Sequence, residues 1–268
     1  MKTLKPIKVV VLLGQSNMEG HSHISYLNRH FSNEQTNQYN NGFPLKIAFM
    51  SNRGLNNSNN KFVSVKTGQG IDPTRFGPEV GIAELLTKNG LNDEVFIIKY
   101  AVGATNLEVA WRSPSSENTG ECYIESTKFI DRMLLNLEND GYLPKIHAFC
   151  YMQGESDACD GGHNEYYIYL LNLIKDLRKH YDRYASKDGI YFIDAGISDC
   201  SSWIHYQTIN NAKKAISLID DKYLFIDTLK YKLSYQKEPD FVADIHHYDS
   251  NASIILGHLF AEQIMKTL

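Results

Sequence analysis

The sequence predicts an α/β fold built on a mostly parallel sheet covered on both faces. Three observations carry that expectation. Short apolar runs rich in β-branched and aromatic residues recur along the chain, longer amphipathic segments separate them, and 268 residues can bury roughly three-quarters of the surface the unfolded chain exposes. A single domain over residues 1–268 is the simplest count.

The elements follow in order. Ile7 to Leu13 reads as the first core strand, and Val95 to Tyr100, Ile146 to Met152, Ile190 to Ile193 and Tyr223 to Ile226 as later ones. Glu79 to Lys88 follows Gly77-Pro78, where proline suits a helix start, and Val80, Ile82, Ala83, Leu85 and Leu86 supply a buried side. Ile124 to Leu137 places Phe129, Ile130, Met133, Leu134 and Leu137 on one helical face. Tyr166 to Tyr181 and Asn251 to Met265 read as further amphipathic helices. The exception is a polar, loop-rich excursion at about 20–75, with asparagine crowding Asn28 to Asn60 and weak apolar runs at Leu45 to Met50 and Phe62 to Val65. It is either a surface excursion or a lid over a substrate.

Composition removes several classes of function. A net charge of -4 gives no basic footprint for nucleic acid or an anionic membrane. No apolar run approaches the ~20 residues that cross a bilayer. Cys122, Cys150, Cys159 and Cys200 show no C-x-x-C spacing and read as incidental thiols. The lysine-bearing start followed by Val9 to Leu13 has too short an apolar run for a secretory leader, so a cytoplasmic location is the default expectation. A chain whose leader had been removed would read the same way, which leaves secretion or a periplasmic site open. Nothing in the sequence bears on oligomeric state.

Three polar clusters directly follow expected strands: Gly14-Gln15-Ser16-Asn17-Met18, Val102-Gly103-Ala104-Thr105-Asn106 and Gln153-Gly154-Glu155-Ser156-Asp157. A fourth, Asp244-Ile245-His246-His247, precedes the last helix. Ligands of open parallel sheets bind beyond the carboxyl ends of the strands, so these clusters should converge. Ser16 at a strand-to-helix turn is a candidate nucleophile, with helix N-cap as its plain structural reading. His247 is the candidate base and Asp244 the group that orients it, since a spacing of three lets the carboxylate reach Nδ1. His246 lacks that spacing. The backbone N–H groups of Ser16 and Gly103 and the side-chain amide of Gln153 are candidate donors to an oxyanion, against plain readings as a turn glycine and a loop amide.

These motifs, in this order, resemble the SGNH hydrolase superfamily, and within it the branch of sialate O-acetylesterases and the acetyl xylan esterases of carbohydrate esterase family six. Trp111 after the Gly103 turn, Arg75-Phe76-Gly77-Pro78-Glu79 and Leu256-Gly257 add to the likeness. The resemblance implies a three-layer α/β/α flavodoxin-like fold and a cofactor-free, metal-free serine esterase acting on O-acetyl groups of sialic acid, xylan or another bacterial glycan. It assigns the triad to Ser16, Asp244 and His247, and the oxyanion donors to Ser16, Gly103 and Gln153. Ala104 stands where a second glycine is common in the branch. Gln15, Trp111, Arg112 and Glu155 are candidate substrate contacts: an indole can stack on a sugar and a guanidinium can bind a carboxylate, with structural packing and a surface charge as the plain readings of Trp111 and Arg112. For Glu155 the alternatives are a support beneath Gln153 or a cap. His21 and His23 form an H-x-H pair without a nearby ligand cluster, so no metal is expected there. The same residues could serve a carbohydrate O-acyltransferase, and the fold without its chemistry could serve as a glycan-binding module.

Overall fold

The computed structural model describes residues 4–159 and 161–268. Its strands are β1 (Lys5–Gly14), β2 (Ser22–His23), β3 (Phe43–Ser51), β4 (Asn56–Asn57), β5 (Val63–Val65), β6 (Arg75–Phe76), β7 (Val95–Ala101), β8 (Tyr142–Met152), β9 (Tyr191–Ala195) and β10 (Tyr223–Ile226). The helices are α1 (Ser16–Glu19), α2 (Asn33–Asn41), α3 (Glu79–Lys88), α4 (Glu121–Asn139), α5 (Glu155–Cys159), α6 (Tyr166–His180), α7 (Tyr206–Ile216) and α8 (Ser250–Thr267). No helix among the described residues is long and apolar enough to cross a membrane.

The main sheet runs β10-β9-β8-β1-β7-β3, all parallel, with β4 and β5 pairing antiparallel to β3. Helices flank it, as the sequence predicts. α3 packs on α8, α4 lies against β7 and β8, and α6 packs with α7. β7 is buried along its whole length and β1 over its last six residues, which explains their unbroken apolar runs.

Three elements depart from the sequence reading. The excursion at 20–75 is not a loop throughout: Phe43–Ser51 is a full sheet strand beside β7, and Asn33–Asn41 is a helix opened by a Ser32/Gln35 capping box. Leu45, Ile47, Ala48 and Phe49 are all buried, so the weak run is a strand that owes its place to tertiary packing. Helix α7 lies in a segment with little apolar content, carried by Ile209 and Ile216 and by a buried lysine, Lys213.

The register fixes where the polar clusters begin. Gly14 is level with Ala101 on one side and Met152 on the other, Ala101 with Ser51, and Met152 with Ala195. Gln15, Asn52, Val102, Gln153 and Gly196 therefore all leave the sheet at one height. β1 sits at the point where the chain's path switches from one side of the sheet to the other, the place where a crevice opens in such folds.

Candidate active site

A cavity of about 860 Å³ opens at that edge, and Ser16, Gly103, Ala104, His246 and His247 line it with Gln15, Glu19, His21, Asn52, Arg53 and Trp203. A smaller cavity of about 210 Å³ at Asp199, Thr228 and Tyr235 contains none of the four clusters.

Ser16 opens α1 one residue beyond Gln15. Gly14 makes that turn possible: its φ is +149°, and a Cβ there would lie 2.0 Å from the Met152 carbonyl oxygen. Asn17 then ties the turn to the segment bearing the histidines. Its Nδ2 donates to Glu155 Oε1 at 2.7 Å, and its Oδ1 accepts from the Tyr248 N–H at 3.1 Å.

His247 meets Asp244 through Nδ1 and Oδ2 at 2.6 Å, and Asp244 Oδ1 accepts the His246 N–H at 2.9 Å. Burial pushes the Asp244 carboxyl up, but the hydrogen bond and charge of His247 and the His246 N–H outweigh it, so it lies well below the usual carboxylate range. An ionised carboxylate on Nδ1 fixes the tautomer that leaves Nε2 able to accept a proton. His246 turns the other way, its Nε2 bonded to Ser202 Oγ at 3.0 Å.

Several expected contacts are corrected by the geometry. Gln153 is fully buried, and its Nε2 points inward to Thr105 O at 3.1 Å, Gln15 Oε1 at 3.2 Å and Asp157 Oδ2. It has no hydrogen left for an oxyanion in the cavity. The Gly103 N–H donates to Glu19 Oε2 at 3.1 Å, so this donor is already engaged. Trp111 is fully buried, its Nε1 on Thr105 Oγ1 at 2.9 Å and its ring edge-on to Tyr100 and Tyr151, which makes it an anchor for the turn and not a sugar platform. Arg112 lies over the Tyr169 ring and donates to its hydroxyl at 3.0 Å, outside the cavity lining. Glu155 is buried on Asn17, and Asp157 is the carboxylate beneath Gln153. Gln15 does line the cavity, with Oε1 accepting from Gly154 N and Ser156 N, both at 3.3 Å. Ala104 has φ +56°, a left-handed conformation that suits a glycine better.

The sequence reading passed over Glu19, Asn52 and Arg53 as members of the site. Glu19 is 1% exposed, and its Oε1 accepts the Asn52 N–H at 2.6 Å. His21, read only as half of an H-x-H pair, bonds Glu19 Oε2 at 3.0 Å and stacks on His247 with ring centroids 4.0 Å apart. The available signal was a glutamate and a histidine three and five residues after the serine. The one group of three potential metal ligands among the described residues is His30, Glu238 and Asp249. Both carboxylates there serve the start of α8: Glu238 accepts from Ser250 N and Oγ, and Asp249 from Ala252 N.

Comparison with known proteins agrees with this architecture. Solved structures with the same fold include a protein from Arabidopsis thaliana (17% identity, TM-score 0.67, covering 97% of this chain and 98% of that one) and NanS (13% identity, TM-score 0.66, 99% and 98%). A carbohydrate acetylesterase from Xanthomonas citri matches at 14% identity and TM-score 0.61, over 97% of this chain and 56% of that one. No curated protein matches the sequence. The profile of the family described as "Carbohydrate esterase, sialic acid-specific acetylesterase" matches residues 6–266, nearly the whole chain. The chain belongs to that family, a carbohydrate esterase that removes O-acetyl groups from carbohydrates.

Proposed function

We propose that Ser16, His247 and Asp244 carry out the ester hydrolysis, and that the substrate is an O-acetylated sugar bearing a carboxylate. The carrying observation is the 2.6 Å Asp244–His247 contact, in a cavity lined by both His247 and Ser16. Ser16 Oγ attacks the acetyl carbonyl while His247 Nε2 takes its proton; the tetrahedral intermediate collapses as His247 returns that proton to the departing sugar oxygen. Water, deprotonated by His247, then cleaves the acetyl-enzyme and releases acetate. The Ser16 N–H, at the start of α1, is the backbone donor this reading assigns to the oxyanion.

Arg53 supports the acidic substrate. It lines the cavity, and its guanidinium pairs with Glu121 at 3.0 Å where the side chains are 58% and 69% exposed. Such an exposed pair is worth little and can be exchanged for a ligand carboxylate. The family description, specific to sialic acid, points the same way.

The test is acetate release from an O-acetylated sialic acid and from an acetylated xylo-oligosaccharide by wild type, Ser16→Ala and Arg53→Gln. Ser16→Ala should lose activity on both by about 10⁴-fold or more. Arg53→Gln should raise KM about tenfold for the acidic sugar and leave the neutral one unchanged. Equal effects on both sugars would overturn the acidic substrate, and an active Ser16→Ala the triad.

A further inference from the structure

The Glu19 carboxylate is buried in the wall of the active site, and among the described residues no lysine or arginine side chain pairs with it. It is held by the N–H groups of Asn52 and Gly103 and by His21 Nε2. His21 lies flat on His247, centroids 4.0 Å apart and planes inclined by 21°. Two carboxylate–imidazole pairs, Asp244–His247 and Glu19–His21, are thus stacked face to face. Only the first belongs to the triad.

We propose that Glu19 and His21 are positioning residues for the base: Glu19 fixes the His21 ring, and that ring holds the plane of His247 and stabilises the imidazolium formed when Ser16 gives up its proton. This rests on the triad reading above. Three observations carry it. A carboxylate accepting from His21 Nε2 fixes the Nε2–H tautomer and makes the ring face more electron-rich, which favours a cation stacked on it. Burial, and next to it the nearness of His247, hold His21 below its ordinary pKa against the opposing effect of Glu19 and Asp244, so it meets the imidazolium as a neutral ring. The same carboxylate also ties the Gly103 turn and the Asn52 loop to α1, so one buried group sets the spacing of three walls around Ser16.

No proton leaves the Asp244–His247–Ser16 relay through this pair. Its contribution belongs to the charged state of His247, so it should appear in kcat and not in KM.

The experiment compares His21→Leu and His21→Phe with wild type, using a chromogenic acetate ester, thermal unfolding and the rate of fluorophosphonate labelling. Leucine removes the aromatic face, while phenylalanine restores it without the ring nitrogens. His21→Leu should lower kcat roughly 10-fold with KM changed less than about 3-fold, and His21→Phe should recover most of that loss. The labelling rate should follow kcat. If His21→Leu keeps wild-type kcat, or if His21→Phe is folded and as impaired as His21→Leu, the positioning role is overturned. A wild-type enzyme that is active but unlabelled at Ser16 would overturn the triad reading itself.

Discussion

At the scale of single residues, Asp244 has the most sharply defined task. Its ionised form is favoured by His247 and the His246 N–H despite burial, so it stays charged throughout any range in which a histidine acts as a base. Asp244→Asn preserves the shape and removes the charge. We expect kcat to fall about 10³- to 10⁴-fold with KM within a few-fold, measured on a chromogenic acetate ester; a fall below about tenfold would mean that the carboxylate does not orient the base. The Asp244–His247 contact was legible because it depends on a spacing of three within one motif, and the place of Ser16 at the cavity because its motif directly follows a strand. Gln153 and Trp111 were not, because whether an amide or indole faces a cavity depends on partners from elsewhere. Thr105 holds both of them, its carbonyl taking Gln153 Nε2 and its hydroxyl taking Trp111 Nε1. Glu19 was missed for a similar reason: its partners, Asn52 and Gly103, lie 33 and 84 residues away.

At the scale of elements, strands with unbroken apolar runs were legible, whereas strand β3 and helix α7, which owe their place to packing, were not. Helices α3 and α8 add a contact written in small residues: a Cβ on Gly257 would lie 2.3 Å from the Pro78 carbonyl oxygen and 2.7 Å from Gly81 Cα. The same helix pair is joined by a polar clasp. Glu84 of α3, 5% exposed, takes His258 Nε2 of α8 at 2.8 Å, Tyr39 OH at 3.0 Å and Lys88 Nζ at 2.7 Å. Burial alone raises its pKa, but those hydrogen bonds win and bring the carboxyl from 4.5 down to about 2. A group depressed on folding stabilises the fold fully above its unfolded pKa and loses that contribution as pH falls through the folded value. Glu84→Gln should therefore cost on the order of 2–3 kcal/mol at pH 7. The difference should shrink to less than half by about pH 3, in urea unfolding of both proteins. A difference that does not change with pH would show that packing, and not the charge, carries the effect.

At the scale of the whole molecule, the strand ends around the cavity are braced from both flanks by buried lysines. Lys99, on β7, donates to Glu79 Oε2, Glu19 O and Gln69 O at 2.7–2.9 Å. Lys213, on α7, donates to Asp194 Oδ1, Gln153 O and Ala195 O at 2.6–2.7 Å. Both side chains are fully buried, and each has three acceptors for its three N–H groups. Their carbonyl partners lie in α1 after β1, in the segment between β5 and β6, in the turn after β8 and at the end of β9, so the lysines couple the position of the cavity-lining turns to the integrity of the sheet. Burying such an ion pair is expensive, and its value to stability shows when one partner is removed and the other is left uncompensated. Lys213→Met should destabilise the protein by about 3–5 kcal/mol, equivalent to roughly 6–20 °C in Tm. Lys213→Met combined with Asp194→Asn should be less destabilised than Lys213→Met alone, because no charge remains without a partner. If calorimetry finds the double variant less stable than Lys213→Met, the lysine acts through packing, and the brace is not electrostatic.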